Sequence, residues 1–364
     1  MKILHISNSL ATGGAEKLLL ETIPLLNDKG ILTDLALLYG KDYPFLDILT
    51  NKKCCKIYKL SGGSVYNPFL VFKIIPLLRK YDLIHVHLFP ALYWVMFAKI
   101  ISFSRVKIVY TEHSTSNRRR DKFVFRILDK IIYFFYDRII TISSEVDFAL
   151  KKYLNSKKEK FYLIPNGINL EFIANEKIIP KNELHPLQKD GFTFVIQVAS
   201  FRYPKDQKTL IKSLKYLDDN VILLLVGEGE LKNECMQLAK EMGLADRVFF
   251  LGIRMDVISL LKSSDVVVLS SHYEGLSLSC LEAMASGKPL VASQAPGLIG
   301  VVQNSGLLFP INDYIILANH IKKLLEDKEY YSSVAKKCYE KATEYDINKT
   351  INLQIALYKK LLDK

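Results

Sequence analysis

Short apolar runs alternate with amphipathic segments of helix length along almost the whole chain, and the alternation restarts once. Strands covered on both faces read as continuous apolar runs, and the helices covering them read with a 3.6-residue period. The alternation therefore specifies parallel sheets built from βαβ units. In the first half the runs fall at 3–7, 33–38, 56–60, 83–86, 107–110, 138–141 and 161–164. Pro165-Asn166-Gly167 is a turn signal that closes this series. Residues 176–191 hold two prolines and mixed charge and read as a linker. Runs resume at 194–199, 222–226, 248–251, 266–269 and 290–292, and the tail from Asp313 reads as helical. A chain of 364 residues is too long for one ordinary domain, and a hydrophobic content of 49% fills two cores. The expectation is an α/β protein with two Rossmann-like units, 1–175 and 192–347.

The densest pattern lies at 270–293, SSHYEGLSLSCLEAMASGKPLVAS. Glu274 follows an apolar run in a loop with Gly275, and Glu282 lies on the short helix that Gly287-Lys288-Pro289 ends. A loop carboxylate and a helix carboxylate are thus expected at the C-terminal edge of a parallel sheet, where open α/β sheets bind ligands. Each also has a plain structural reading. Glu274 fits a solvated loop, and Ser279-x-x-Glu282 fits a capping box that only satisfies a helix start. The loop from Ser200 to Gln207, after another strand, carries Arg202 and Lys205. Two fixed cations on one loop would neutralise a diphosphate, and would hold it more tightly wherever its charge grows in a transition state.

In the first half, Gly13-Gly14-Ala15-Glu16 follows the first strand and opens a helix expected over 15–27. Glycine permits close backbone approach, and the helix start offers free N–H groups suited to a phosphate or an acceptor. The pattern is not G-x-G-x-x-G, so it does not support a dinucleotide site. Thr111-Glu112-His113 ends a later strand, with His113 expected just past the sheet edge. His85 and His87 fall on one side of their strand and read as structural. Five cysteines with no C-x-x-C pair and no zinc spacing fit a reducing compartment.

EGLSLSCLEAMASGKPLVAS, GGAE, TEH, Lys205 before Thr209-Leu210-Ile211, Val226-Gly227-Glu228-Gly229 and Leu251-Gly252-Ile253 together resemble the retaining glycosyltransferases of family 4, which have the GT-B fold. The resemblance implies two Rossmann-like domains with parallel sheets facing across a cleft, and a last helix, 348–364, crossing back onto the first domain. It implies a nucleotide-sugar donor, expected to be UDP-linked, and neither a metal nor a further cofactor. Glu282 would hold the ribose hydroxyls. Glu274, with the backbone N–H groups of Gly275, Leu276, Ser277 and Leu278, would hold the sugar ring. Arg202 and Lys205 would hold the diphosphate, although many members carry the arginine five residues before the lysine and here the spacing is three. Gly14 would line the cleft, Gly227 the turn beside the donor, and the backbone around Ile253 the base. His113 would approach the transferred sugar. A nucleotide-sugar epimerase and a non-catalytic scaffold on the same fold remain as alternatives; no lysine sits in a recognisable pyridoxal site, which speaks against a phosphorylase.

The net charge of +12 is uneven: residues 1–190 carry 29 Lys/Arg against 18 Asp/Glu, and the remainder 21 against 20. Arg118, Arg119, Arg120, Lys122, Arg126 and Lys130 are interleaved with Phe123, Phe125, Ile131, Ile132, Tyr133, Phe134 and Phe135. Basic and apolar residues in one amphipathic stretch suit an anionic membrane surface better than a nucleic acid. Arg118 to Arg120 are expected on the lipid-facing side, replaceable without unfolding. The N-terminus reads as a strand rather than a signal peptide, and no run reaches the ~18–20 apolar residues of a spanning helix. The expected setting is cytoplasmic, peripheral at the inner face of the cell membrane. The expected acceptor is lipid-linked or a saccharide in bacterial surface polysaccharide or lipopolysaccharide synthesis.

Overall fold

The structure is a computed structural model and describes residues 1–115, 117–156, 159–184 and 191–363; of Arg118 it describes the backbone only. The strands are β1 (Lys2–Ser7), β2 (Leu32–Leu37), β3 (Ile57–Lys59), β4 (Leu83–His87), β5 (Lys107–Glu112), β6 (Arg138–Thr141), β7 (Phe161–Leu163), β8 (Thr193–Val198), β9 (Val221–Val226), β10 (Val248–Gly252), β11 (Val266–Leu269), β12 (Leu290–Ser293) and β13 (Leu307–Phe309). The first seven form one sheet in the order β3-β2-β1-β4-β5-β6-β7, and the rest a second in the order β10-β9-β8-β11-β12-β13. Every pairing in both sheets is parallel. Twelve of these strands coincide with the apolar runs. β13 has only three residues after Gly306 and leaves no run to recognise.

The compact units are Met1–Gly167 with Ile347–Lys364, and Ile168–Asp346. In the first unit, successive strand residues feed opposite faces of the sheet. Leu4, Ile84, Ile108 and Ile139 pack under helices Leu70–Leu78, Ala91–Ile101 and Phe123–Phe135. Ile3, Leu83, Val109 and Ile140 pack against Ile351, Leu357 and Tyr358 of the helix Ile347–Leu361. The last helix is therefore part of the first unit's core.

The boundary falls at Gly167, not at 175. Lys262 Nζ donates to the carbonyls of Ile173, Ala174 and Glu176, which ties the helix Leu170–Asn175 to the second unit. The linker expected over 176–191 is also bound there in its first part. Ile179 N donates to Ser263 Oγ at 2.7 Å, and Lys181 pairs with Asp265 at 2.6 Å within the short helix Lys181–Leu184. Residues 185–190 of that linker lie outside the described residues.

Gly167 marks the point where the first unit receives its last helix. A Cβ there would lie 2.5 Å from Ile347 Cα and 2.7 Å from Ile347 N and from Thr350 Oγ1. Two of these are backbone atoms that cannot rotate aside. Gly167→Ala is expected to cost about 1–3 kcal/mol as overpacking, seen as a lower urea midpoint at unchanged slope. An unshifted midpoint would mean that the junction is loose.

Candidate active site

In the second sheet β8 is the strand from which the order runs both ways, toward β9 and toward β11. The loops leaving β8 and β11 are held together at this switch point. Asp206 N donates to Ser270 O at 2.9 Å and His272 N to Pro204 O at 2.9 Å. Ser270 Oγ reaches Gln197 Oε1 at 3.0 Å. Ser271 N donates to Ser293 Oγ at 2.9 Å, which fixes the second loop to β12 as well. Asp206 also caps the helix Gln207–Ser213 by accepting from Thr209 N.

This scaffold brings Lys205 and Glu274 into a direct ion pair, with side chains 15% and 11% exposed. Ser271 Oγ donates to the same carboxylate oxygen at 2.8 Å. Glu274 is therefore a clamped carboxylate, not a solvated one. Arg202 is exposed; its backbone carbonyl accepts from Lys205 N at 2.7 Å, but its guanidinium does not join the pair.

Glu282 is 5% exposed on the helix Leu278–Ala285. That helix starts two residues too early for the capping box. Ser277 is its N-cap, Ser279 is already its second residue, and Glu282 lies in the second turn, beyond the N3 position. Gly275, Leu276 and Ser277 lead directly into this helix start.

Across the sheet, Gly227 N donates to Gly252 O at 2.8 Å, so the turns after β9 and β10 meet, with Ile253 exposed beside them. Gly227 has φ of 142°, and a Cβ there would sit 2.2 Å from Ala199 O. Only glycine fits where the β9 turn crosses the start of the β8 loop.

In the first unit, Gly13 is the N-cap of the helix Gly14–Asp28. A Cβ at Gly14 would meet nothing within 4 Å, so the protein leaves open space there. His113 follows β5 and joins a group of histidines of which sequence reasoning identified only part. His113 Nε2 lies 3.1 Å from His87 Nδ1, and His87 Nε2 lies 3.0 Å from His5 Nδ1. His85 bonds Tyr358 Oη and Thr111 Oγ1, each at 2.6 Å. His5 was missed. Its signal was a polar residue within the apolar run of β1, level with His85 in the neighbouring strand. Burial pushes the imidazole of His5 down to about 3 and that of His113 to about 4. His85 and His87 are lowered by burial and further by the neighbouring imidazoles.

The arginine cluster is not where the sequence suggested. Arg119 is buried, ion-paired to Asp129 at 3.2 Å, with its guanidinium 4.6 Å from the Phe89 ring centre. Asp129 is fully buried and also accepts from Tyr93 and from Tyr153. Arg120 pairs with Glu112, which accepts from Tyr133 Oη at 2.7 Å. Removing one partner of such a pair costs roughly 3–5 kcal/mol, so Arg119 and Arg120 are turned inward rather than toward lipid, and replacing either by glutamate is expected to be strongly destabilising. The third residue of the expected cluster, Arg118, has its side chain outside the described residues. What the helix Phe123–Phe135 does present is an apolar stripe: Phe123 is 74% exposed, and Val124, Ile127, Ile131, Phe134 and Phe135 follow on the same face. Lys122, Arg126 and Lys130 are exposed on the same segment. Among the described residues no helix is long and apolar enough to cross a membrane.

Residues 180–344 match the family Glycosyl transferases group 1, and residues 12–172 match Glycosyltransferase Family 4. An uncharacterized glycosyltransferase of Methanocaldococcus jannaschii is 30% identical over 297 residues, 75% of each chain. The UDP-Gal:alpha-D-GlcNAc-diphosphoundecaprenol alpha-1,3-galactosyltransferase of Escherichia coli is 26% identical over 363 residues, 94% of this chain and 92% of that protein. Among solved structures, Alr3699/HepE of Anabaena in complex with UDP and glucose superposes with a TM-score of 0.85 at 25% identity, covering 98% of both chains. The chain belongs to glycosyltransferase family 4 and has the GT-B fold.

The buried histidines make stability depend on pH in a known direction. An unfolded chain protonates imidazole near 6.5, whereas here the folded values lie far below. The stability is fully present above about pH 6.5 and is lost as pH falls toward the folded values, by about 1.4 kcal/mol per pH unit for each histidine. Urea unfolding at pH 7, 6 and 5 should show this decline. His5→Phe should make it shallower by one proton's worth; parallel curves for the two proteins would contradict the burial of His5 as a neutral group.

Proposed function

We propose that the protein transfers a hexosyl residue, with retention of anomeric configuration, from a UDP-linked donor to a lipid-linked or saccharide acceptor used in bacterial surface polysaccharide or lipopolysaccharide synthesis. The observation that carries this reading is the Lys205–Glu274 pair at the switch point of the second sheet, beside the helix that bears Glu282. The UDP complexes of the Anabaena protein and the undecaprenol-linked acceptor named for the Escherichia coli enzyme support the donor and acceptor classes.

A diphosphate arriving at this loop competes with Glu274 for Lys205. Once Lys205 turns to the phosphates, Glu274 is free to accept hydrogen bonds from sugar hydroxyls, with the N–H groups of Gly275 to Leu278 beside it. Exposed Arg202 can swing to the leaving phosphate, where charge grows during bond breaking. Glu282 accepts from the ribose hydroxyls, and the turns of Gly227 and Ile253 receive the base. The resemblance to family 4 assigns His113 to the transferred sugar and the open helix start at Gly14 to phosphate or acceptor. Protein cations take the role that a divalent ion has in other transferases, so the reaction needs no metal.

Transfer of labelled sugar from UDP-hexoses, run in excess EDTA, tests the whole reading. Turnover should persist in EDTA. Glu282→Ala should raise donor KM more than it lowers kcat, and Glu274→Gln should chiefly lower kcat. Each effect should be about ten- to a hundredfold, the worth of a hydrogen bond to a charged group, roughly 1.5–3 kcal/mol. Normal constants in a merely less stable Glu282→Ala protein would remove Glu282 from the donor site, and activity restored only by Mn²⁺ would remove the metal-free mechanism.

The setting proposed is the cytoplasmic face of the cell membrane, with the helix Phe123–Phe135 lying on anionic lipid. Its exposed stripe and the cations of Lys122, Arg126 and Lys130 are what such an interfacial helix needs. Replacing Phe123, Ile127, Ile131 and Phe134 by serine should reduce co-sedimentation with phosphatidylglycerol vesicles at least tenfold while leaving the melting temperature within a few degrees. Vesicle binding that survives these changes would place the membrane contact elsewhere.

A further inference from the structure

His113, His87 and His5 form a linear chain in which each imidazole uses a different ring nitrogen toward each neighbour. The contacts run His113 Nε2 to His87 Nδ1 and His87 Nε2 to His5 Nδ1. A neutral imidazole has one N–H donor and one bare acceptor nitrogen, so the middle ring cannot donate at both ends. Only two arrangements satisfy both contacts. In one, protons point inward: His113 Nε2–H donates to His87, His87 Nε2–H donates to His5, and His5 is left with a proton on Nε2. In the other, every proton points outward: His5 Nδ1–H donates to His87, His87 Nδ1–H donates to His113, and His113 keeps its proton on Nδ1.

The inner end decides between them. His5 Nε2 is buried without a hydrogen-bond partner, and Ser7 Oγ, on the same face of β1, also lacks one. The inward arrangement would leave an N–H stranded there, and orphaned buried N–H groups are the rarest kind of unsatisfied group. The outward arrangement leaves only a bare lone pair. His85, tilted against the rings of His5 and His87, cannot rescue His5, because Tyr358 and Thr111 occupy both of its nitrogens. We propose that His5 and His87 are positioning residues that polarise this chain and hold His113 in the tautomer carrying its proton on Nδ1. His113 Nδ1 has no partner among the described residues, so the chain ends in a fixed donor. Such a donor suits a sugar oxygen rather than a cation or a substrate N–H. The burial that keeps these imidazoles neutral keeps the polarity intact at pH 7. The inference rests on the reading that His113 faces the transferred sugar, but its test does not need catalysis.

Long-range ¹H–¹⁵N correlation spectra of the ¹⁵N-histidine-labelled protein, dialysed against EDTA, report which ring nitrogen of each histidine carries the proton. The expected result is Nδ1–H for His5, His87 and His113. His87→Phe keeps an aromatic ring but breaks both contacts, and should return His113 to a mixture of tautomers and raise donor KM several-fold. His87→Gln, whose amide retains a donor and an acceptor, should restore much of both. An Nε2–H tautomer at His113 in the unaltered protein overturns the proposal even if His87→Phe fails to fold. So does a tautomer mixture that His87→Phe leaves unchanged, or stoichiometric zinc retained by the cluster, since His5, His85 and His87 could gather round an ion. If the tautomer is as stated but His113→Ala transfers sugar normally, the relay stands and the placement of His113 at the sugar falls.

Discussion

Lys205 reaches Glu274 because β8 and β11 are neighbours in the sheet although β9 and β10 lie between them in sequence. The chain leaving β8 turns away to one side and the chain leaving β11 to the other, so their loops share a root and then diverge. That divergence is what makes the carboxyl edge of such a sheet receptive to a ligand. In this protein the two loops are laced by backbone hydrogen bonds and by Ser270, Ser271 and Ser293 before either reaches its charged residue. The ion pair is consequently presented by a stiff base. Preorganisation of this kind leaves little reorganisation to be done at the moment of reaction.

The first unit solves a different problem at its own switch point, between β1 and β4. Polar rings in the interior of an apolar sheet are costly unless they bond one another. Here the cost is offset by ordering: His5, His87 and His113 share contacts in series, and His85 is tied to Thr111 and to Tyr358 of the last helix. Likewise Asp129 and Glu112 are tolerable inside only because Arg119 and Arg120 came in with them. The TEH segment thus has two jobs. Its glutamate anchors the following basic turn, and its histidine ends the imidazole chain.

Much of this was legible in the chain. Apolar runs marked twelve strands because parallel strands must be greasy on both faces, and GLSLSCLEAMASGKP marked the loop and helix around Glu274 and Glu282. What escaped depended on pairing across long separations. Arg119 looked like part of a solvated basic face; its burial was signalled only by Asp129, a carboxylate on the same helix face as the core residues Ile132 and Tyr133. A charge at such a position requires a partner, and the nearest arginines should have been suspected. His5 escaped because one polar residue in a strand is unremarkable until its neighbour in the sheet is known. The capping-box alternative for Glu282 could not be resolved without the true helix start, since the two-residue offset from Ser279 to Ser277 changes which side chain can reach the free N–H groups. The boundary at Gly167 rather than 175 turned on where Lys262 finds its carbonyl partners, and no local pattern encodes that.

The closing helix has a consequence for how the chain acquires its structure during synthesis. The second unit is one unbroken segment, Ile168–Asp346, whose first and last residues pair as a β-bridge, so it is complete as soon as that segment has emerged. The first unit emerges earlier but lacks the helix that packs against Ile3, Leu83, Val109 and Ile140 until the segment Ile347–Lys364 follows the second unit out of the ribosome. The usual order, in which the N-terminal domain folds first on a growing chain, is thereby reversed. The unit that appears first waits with part of one sheet face uncovered, while the one that appears second has its whole segment in hand before it.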